Sequence, residues 1–358
     1  MNFINKISKS VNQKDWDNLL KKQTFSTAFQ TANYDKPLQL YRDCQPWYIT
    51  VENDNGEIVG QLYALMDFYQ PEVHKTIPNF FIKKFNLGSR IFWNHGPIIH
   101  DKINRNKILI EILMTINKLA KEYQIDLVSG TSCPLDITFN PDIFKKLHFE
   151  VRPWLSYIVN LTNDPQSLFS SLDKKVRYDI RKGQEKGLVF EIANKLSDLI
   201  EFGQLKFKLR NKTLPKYDKI VEQKTWEWLY KENIRKLFLV KFKNELIGGI
   251  NANIFNGNLY QTSVTNSHKE LNGGPFLTWN AICWSVKEKI RNYDFGGANP
   301  NPASEKEKGI DFYKSKWGGK PYNQQIFTKI YHPKKLKFSK ILVNPKVLKS
   351  KFLGEIQS

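Results

Sequence analysis

The most constraining feature of the chain is a set of three adjacent strand patterns in its second half. These are LFLVKF, LIGGINANIF and NLYQTSV, which begin at Leu237, Leu246 and Asn258. The dipeptide Asn256-Gly257 between the second and third patterns is a strong signal for a two-residue hairpin, because both residues tolerate positive φ. The three segments predict an antiparallel meander, whose apolar face must be covered by helices or by other strands.

The elements around this meander predict a mixed α+β fold. In chain order the second half predicts a strand at 154–161, one helix from Pro165 to near Gly187, a strand at 188–194 and helices near 197–209 and 217–231. After the meander come a helix at 276–289, a strand at 293–295, a helix at 309–316 and a strand at 325–331. The first half repeats this order weakly, with a hairpin at Asn55-Gly56, a helix from Ile108 to Glu122 and the strand IDLVSG.

A spaced pattern in the first half recurs in the second half at a constant offset of 168 residues. Asp126…Phe144-x-Lys146-x-x-Phe149 returns as Asp294…Phe312-x-Lys314-x-x-Trp317. The pattern predicts a duplication, with domains at 1–150 and 151–332 and a basic tail at 333–358. The first copy has Glu150-Val151 where the second has Gly318-Gly319. We therefore take the first copy as degenerate and place the chemistry in the second domain or between the domains.

The charge of the chain is concentrated in the second half. The sequence has 55 Lys and Arg residues against 35 Asp and Glu, a formal charge of +20. Residues 1–150 carry only +2 of this and the tail +6. Such a balance is typical of proteins with anionic partners, although a generally solvated surface explains it equally well.

A cationic stripe is predicted on the helix that follows Pro165. Arg177 and Arg181 are four residues apart and share a helix face with Lys174. Arginine binds phosphate through paired hydrogen bonds, so this stripe is a candidate phosphate site, which Arg210 would extend. A solvated helix face is the competing interpretation.

Several chemistries lack their motifs in this sequence. No HExxH, Walker A loop, G-x-S-x-G motif or kinase catalytic motif accompanies the candidate residues, and the six histidines form no metal-binding pattern. The three cysteines are scattered, which indicates no disulfide framework and fits a reducing compartment. The N-terminal segment has no apolar stretch of signal-peptide length, and the uncharged stretch 246–268 is too polar for a membrane span. We expect a soluble, cytoplasmic protein without a metal.

The end of the second half resembles the FemABX-type transferases. The run NYDFGGANPNPASEKEKGIDFYKSKWGG, which starts at Asn292, is similar to that family's Tyr-Asp-Phe-Gly-Gly segment, polar loop and closing Phe-Lys-x-x-aromatic-Gly-Gly. Upstream, SLFSSLDKKVRYDIRKGQEKGLVF and GGPFLTWNAICWSVKEK also look like family segments, as do FSTAFQTANY and NHGPIIHD in the first half. The similarity covers most of residues 20–330.

This resemblance implies two tandem domains of the GNAT N-acyltransferase superfamily, each a mixed, mostly antiparallel sheet flanked by helices. It implies transfer of an acyl group to an amine, with either acyl-CoA or aminoacyl-tRNA as the donor. The chain departs from relatives in two places. It lacks the long helical arm that some members insert, and the loop at 266–274 lacks the glycine spacing with which ordinary GNAT enzymes hold the CoA diphosphate.

The resemblance places the functional lysine at Lys314. Acyl transfer passes through an oxyanion, which a fixed cation or backbone N–H groups stabilise. Asp294 either orients Lys314 or the substrate amine, or caps a turn. Tyr260 either donates a proton or packs as an ordinary aromatic residue. Tyr313, Trp317 and Gly318 beside the lysine are predicted to contact the substrate.

Two kinds of function remain open from the sequence. The first is an N-acyltransferase acting on an amine of an anionic small molecule or cell-envelope precursor that carries phosphate or sugar. The second is a non-catalytic RNA- or tRNA-binding protein on the same scaffold, which the basic second half and the aromatic content of 13% suggest. The tail, in which lysines alternate with apolar residues, could add weak contact with an anionic membrane surface.

Overall fold

The computed structural model describes residues 2–41, 44–68, 84, 86–161, 164–209 and 219–343, and structural statements below refer to these residues. They form one mixed sheet with helices packed against it. The strands are β1 Ile4–Ser8, β2 Gln45–Glu52, β3 Ile58–Phe68, β4 Ser89–Trp93, β5 Ile98–Ile99, β6 Leu127–Thr131, β7 Glu150–Asn160, β8 Val189–Ile192, β9 Arg235–Phe242, β10 Glu245–Phe255, β11 Asn258–Asn266, β12 Asn292–Ala298 and β13 Lys320–Ile330.

The helices lie in the connections between these strands, except for the last, which follows β13. They are α1 Gln13–Lys21, α2 Lys36–Tyr41, α3 Arg105–Glu122, α4 Asp142–Lys146, α5 Pro165–Ser171, α6 Lys174–Glu185, α7 Leu196–Leu209, α8 Lys219–Thr225, α9 Gly273–Lys287, α10 Glu305–Ser315 and α11 Pro333–Val343. Two short 3₁₀ turns at Ala28–Gln30 and Lys269–Leu271 and a π turn at Trp226–Tyr230 complete them. No helix among the described residues is long and apolar enough to cross a membrane.

The strand order shows the same arrangement in both halves. It runs β1-β2-β3-β4-β6-β13-β7-β12-β11-β10-β9-β8, with β5 beside β3. The pairs β4–β6 and β11–β12 are parallel, and the other pairs are antiparallel. In each half a meander is therefore followed by a crossover helix, α3 or α9, and a parallel strand. The predicted hairpins at Asn55-Gly56 and Asn256-Gly257 are present, as are the expected mixed sheet and its helices.

The two halves exchange their last strands at the centre of the sheet. We count β7 with the first half here, because it follows α4 as β13 follows α10. The strand after α4 is β7, which pairs with β12 of the second half. The strand after α10 is β13, which pairs with β6 of the first half and also with β7. The sheet is consequently continuous, and each half contributes a strand to the other.

Each half has its own core between the sheet and its crossover helix. In the first half α3 buries apolar side chains against β2, β3 and β6, together with Phe144, Phe149 and Phe327. In the second half α6 and α9 cover one sheet face, with Trp317 fully buried among them. The opposite face of the second half packs on α7 and the π turn.

Two predicted elements differ from the structure. The expected helix from Pro165 to Gly187 is two helices, because Asp173 caps α6 by accepting a hydrogen bond from Lys175 N at 2.9 Å. The tail begins as α11, which the apolar–lysine alternation did not predict. Leu336 of α11 is buried, Lys335 forms an ion pair with Asp126 at 3.3 Å, and His332 Nδ1 lies 3.4 Å from Asp126 Oδ1.

Candidate active site

The candidate site lies where β11 and β12 separate. Their parallel pairing covers only three positions and ends at Tyr260 opposite Asp294. On its other side β12 shifts register against β7 between Asp294 and Gly297. Gly296 has a φ of +78°, which only glycine adopts readily, so the Gly296-Gly297 pair forms a bulge at the opening of the sheet.

Lys314 reaches this bulge from α10. Its Nζ donates to the carbonyl oxygens of Gly296 at 2.8 Å and Gly297 at 2.7 Å. Desolvation lowers the pKa of Lys314 to about 8, although Asp294 and Asp311 act in the opposite direction. The position of α10 is set by a capping box between Ser304 and Glu307 and by a hydrogen bond from the Tyr157 hydroxyl to Asp311 Oδ1 at 2.6 Å. Substitutions at Ser304, Glu307 or Asp311 would therefore also move the lysine.

Asp294 holds the other side of the bulge. Its Oδ1 accepts from Ser156 Oγ at 2.5 Å and from Gly296 N at 2.7 Å, so it does cap the turn. Burial raises the pKa of Asp294 to about 6, against the lowering effect of these bonds and of Lys314. Asp294 and Lys314 thus fix the same bulge from its N–H and its carbonyl groups.

Tyr260 lies in a buried aromatic cluster that joins the two halves. Its ring makes edge contacts with Phe29, at 4.9 Å between centroids, and with His95 at 5.1 Å. Burial raises the pKa of this tyrosine above its usual value, and the nearby Asp294 carboxylate acts in the same direction. Burial also lowers the pKa of His95 to about 3, so His95 is neutral. The sequence reasoning missed Phe29 and His95, although both lie in first-half segments that resemble the family.

The residues next to Lys314 separate into packing and surface positions. Trp317 has no exposed surface and packs on Phe295 and Tyr313, so the prediction that it contacts substrate is wrong. Tyr313 is half-buried, with its hydroxyl 3.3 Å from Thr278 Oγ1. Gly318 is exposed, with a φ of +73°, beside Ser171 at the start of the turn into β13.

The predicted cationic stripe lies on α6, near this turn. Asp173 N donates to Lys316 O at 3.2 Å, which brings the start of α6 to the end of α10. The other α6 lysines are engaged, for example Lys175 with Asp179 and Lys182 with Glu185. Lys174, Arg177 and Arg181 form no ion pair with a carboxylate in the described part of the chain; Arg177 donates to Ser170 O and Arg181 lies over the Phe169 ring. Arg210 lies outside the described residues.

The corresponding region of the first half is closed. Trp93 lies against Gly130, where an added Cβ would come within 1.9 Å of the ring. Lys146 is exposed rather than turned toward a bulge. The repeated phenylalanines also differ, because Phe144 is buried and Phe312 is 62% exposed. The two copies of the repeat thus have similar chain segments, but among the described residues only the second copy forms a site of this geometry. No group of metal-binding side chains occurs in them either.

Comparison with known proteins agrees with this geometry. Residues 170–315 match the family model described as an acetyltransferase (GNAT) domain. The structure of FemX aligns with a TM-score of 0.69 over 94% of this chain and 99% of that chain, at 13% identity. The C-terminal domain of a putative lysylphosphatidylglycerol synthetase from Agrobacterium fabrum aligns with a TM-score of 0.55 over 94% of this chain and 95% of that chain, at 10% identity. No curated protein matches in sequence.

A tandem GNAT protein from the clavulanic acid biosynthesis pathway aligns with a TM-score of 0.50, over 80% of this chain and 82% of that chain, at 11% identity. The fold is therefore the tandem GNAT-like, FemABX-type fold that the sequence motifs predicted. The family match assigns residues 170–315 to a GNAT domain, and together with this fold it supports acyltransferase activity.

Proposed function

We propose that the chain transfers an aminoacyl group from aminoacyl-tRNA to an amine of a phosphorylated or sugar-bearing precursor, in the cytoplasm. The observation that carries the proposal is the ammonium of Lys314, fixed on two carbonyl oxygens where β11 and β12 separate. In this fold the opening between two parallel strands is the natural entry for an acyl group, and the lysine lies beside it.

The lysine supplies a cation for the transfer step. Of its three N–H bonds, two point to Gly296 and Gly297, and the third is left for the oxygen of the acyl carbonyl. As the acceptor amine forms its bond to the carbonyl carbon, this oxygen becomes negative, and a preorganised donor lowers the barrier. Collapse re-forms the carbonyl and breaks the ester bond, so that the ribose oxygen leaves and takes up the proton that the amine loses. Asp294 acts as a positioning residue, since it fixes the bulge to which Lys314 is bound.

Two observations support a tRNA donor over CoA. The first is the cationic stripe of Lys174, Arg177 and Arg181 beside the turn at Gly318. No described carboxylate pairs with it, and it suits a phosphate backbone. The second is the start of α9, where a CoA diphosphate would need backbone donors. Pro275 has no N–H there, so one of these donors is missing.

Acyl-CoA is the second candidate donor, because the matching family model is described as an acetyltransferase. Ligand-induced stabilisation discriminates between them, since a ligand that binds only the folded state raises Tm. We expect aminoacyl-tRNA to raise Tm more than uncharged tRNA, at low and moderate salt, and acetyl-CoA and CoA to have no effect. Stabilisation by acetyl-CoA alone would identify acyl-CoA as the donor in place of aminoacyl-tRNA. Equal effects of charged and uncharged tRNA, confined to low salt, would favour the non-catalytic RNA-binding alternative.

The acceptor follows from similar reasoning. A precursor with phosphate or sugar groups suits a basic second half, and one solved neighbour is described as a putative lysylphosphatidylglycerol synthetase. Contact of the tail with an anionic membrane surface remains part of the proposal. Lys335 is already paired with Asp126, so this contact would use the exposed Lys334 and Lys337 of α11 together with the lysines beyond the helix. Deleting residues 344–358 should then reduce binding to vesicles that contain phosphatidylglycerol.

A further inference from the structure

Tyr178 lies within the cationic stripe of α6. Lys174, Arg177, Tyr178 and Arg181 occupy positions i, i+3, i+4 and i+7 of this helix. With about 3.6 residues per turn, the four side chains fall within a strip about 100° wide, which extends about 10 Å along the helix axis. The buried residues of α6 lie on the opposite side. The stripe therefore contains one aromatic residue among its three cations.

The ring of Tyr178 is open to solvent and surrounded by positive charge. The residue is 52% exposed and belongs to none of the hydrophobic clusters of the described chain. The ammonium groups of Lys175 and Lys182 lie 5.0 and 5.7 Å from the ring centre. Packing within the folded chain does not account for an aromatic residue here. A planar ligand that carries negative charge would use both the ring and the cations.

The cations of the stripe are not neutralised by the acidic residues of α6. Both acidic residues within the helix are engaged, each paired with a lysine of the same helix at 2.7 Å. Arg177 donates from Nη1 to Ser170 O at 3.3 Å, and the guanidinium carbon of Arg181 lies 5.4 Å from the centre of the Phe169 ring. Since a guanidinium has five N–H groups, each arginine keeps donors for phosphate oxygens.

The stripe begins close to the candidate active site. Asp173 directly precedes α6, and its N–H donates to Lys316 O at 3.2 Å. Lys316 follows Lys314 by two residues at the end of α10. A chain-like substrate whose reacting end lies at Lys314 would therefore reach the first turn of α6 once it passes the end of α10.

An unpaired nucleotide matches both features of the stripe. Its phosphates suit lysine and arginine, and its base can stack on an aromatic ring, which is how many proteins hold single strands. A base inside a duplex has both faces covered by its neighbours and cannot stack in this way. A membrane surface fits less well, because a helix that lies in a membrane needs a broad apolar face, and the exposed side of α6 offers Tyr178 alone.

We propose that Tyr178 stacks on an unpaired base of RNA whose phosphates bind Lys174, Arg177 and Arg181. This inference rests on the proposed function, in which aminoacyl-tRNA is the donor, and it assigns the unpaired 3′ strand of that tRNA to α6. Tyr178 holds the strand and takes no part in the bond changes at Lys314. The surface distinguishes unpaired from paired RNA, which a row of cations alone does not do.

The test measures RNA binding by the full chain with fluorescence anisotropy. The probes are a labelled, unstructured RNA of about 12 nucleotides, within the range that such proteins cover, and the same RNA annealed to its complement. Tyr178→Ala should weaken binding of the single strand about fivefold or more and leave binding of the duplex unchanged. Tyr178→Phe keeps the ring and should remain within about twofold of wild type on both probes.

A shortened tRNA locates the contact. Removing the unpaired 3′ nucleotides from a tRNA transcript should weaken its binding to wild type about fivefold or more, and should have little effect on its binding to Tyr178→Ala. Thermal unfolding should give Tyr178→Ala the Tm of wild type, because the ring belongs to no hydrophobic cluster. A loss of RNA affinity would then not result from unfolding.

Phe312→Ala is the matched control. Phe312 is 62% exposed and has the Lys316 ammonium 3.8 Å from its ring centre, but it lies on α10, outside the stripe. This variant should bind both probes like wild type. An equal loss of affinity in Phe312→Ala and Tyr178→Ala would make the effect one of exposed aromatic surface in general and would overturn the assignment.

Other results would also overturn the proposal. They are unchanged single-strand binding in Tyr178→Ala, or an equal loss on the single strand and the duplex. If Tyr178→Ala lost only its binding to vesicles that contain phosphatidylglycerol, the surface would belong to a membrane contact instead. Single-strand binding that depends on Tyr178, with no transfer from aminoacyl-tRNA by wild type, would leave this surface standing and reject the proposed reaction.

Discussion

Gly297 provides a sharp test of how the bulge positions Lys314. A Cβ added at this residue would lie 1.8 Å from Trp154 Nε1 and 2.8 Å from two further atoms of the same ring. Ordinary contact needs more than 3.4 Å, so Gly297→Ala must displace the indole or the bulge by about 1.5 Å. The carbonyl of Gly297 accepts from Lys314 at 2.7 Å, so the lysine moves or loses this partner.

The expected size of the effect follows from these distances. Overpacking of this kind costs about 1–3 kcal/mol, and losing the bond from Lys314 would add about 1 kcal/mol. A displacement of about 1 Å at a catalytic group can reduce the rate about 100-fold. Gly297→Ala should therefore lower Tm by several degrees and lower transfer more strongly than its stability loss explains.

Two matched variants complete the experiment. Gly309→Ala on α10 has no atom within 4 Å of its added Cβ, so it should raise stability by about 0.5–1 kcal/mol and leave transfer unchanged. Trp154→Ala combined with Gly297→Ala removes the clash and should restore part of the lost Tm. Thermal unfolding and initial rates, measured for all variants, are sufficient. If Gly297→Ala had the stability and transfer rate of wild type, the argument that the bulge determines the position of Lys314 would be refuted.

Three further predictions follow. Asp294→Asn keeps an oxygen acceptor for Ser156 Oγ and Gly296 N and removes a buried charge. The Tm of this variant at pH 7.5 should therefore not fall below that of wild type. A large loss of Tm in thermal unfolding scans would contradict this. Transfer should decline as pH rises through about 8, because Lys314 loses its proton, and Lys314→Arg should lose that alkaline decline in a pH–rate profile even if its maximal rate is lower. A fragment of residues 1–150 lacks β13 and all of β7 except its first residue. Expressed alone, it should show no cooperative unfolding by circular dichroism. A stably folded fragment would show that the exchanged strands are dispensable.

Much of the fold could be predicted because its signals are local. The Asn256-Gly257 turn, the apolar alternation in β9 and β10 and the crossover helix before β12 are each encoded by neighbouring residues. The strand exchange was not predictable in this way. The sequences of β7 and β13 predict strands, but which half they pair with depends on long-range packing that no local pattern expresses.

The site shows the same division. The motif resemblance led to Lys314 and Asp294, and the structure brings both to one bulge. It did not reveal that Trp317 is fully buried, because an aromatic residue beside a functional lysine has the same sequence pattern whether it packs or binds. Phe29 and His95 reach Tyr260 from the other half, a contact that only the folded chain displays.

The most direct test of the account is a transfer assay. It combines aminoacyl-tRNA labelled in its amino acid, a mixture of candidate amine acceptors, and either wild-type or Lys314→Met protein. The account predicts that wild type moves the label from tRNA to an amine, with a rate at least 100-fold lower for Lys314→Met, which still folds and binds tRNA. An undiminished rate in Lys314→Met would contradict the role of the lysine. Absence of transfer by wild type from aminoacyl-tRNA, with transfer from acetyl-CoA, would contradict the proposed donor.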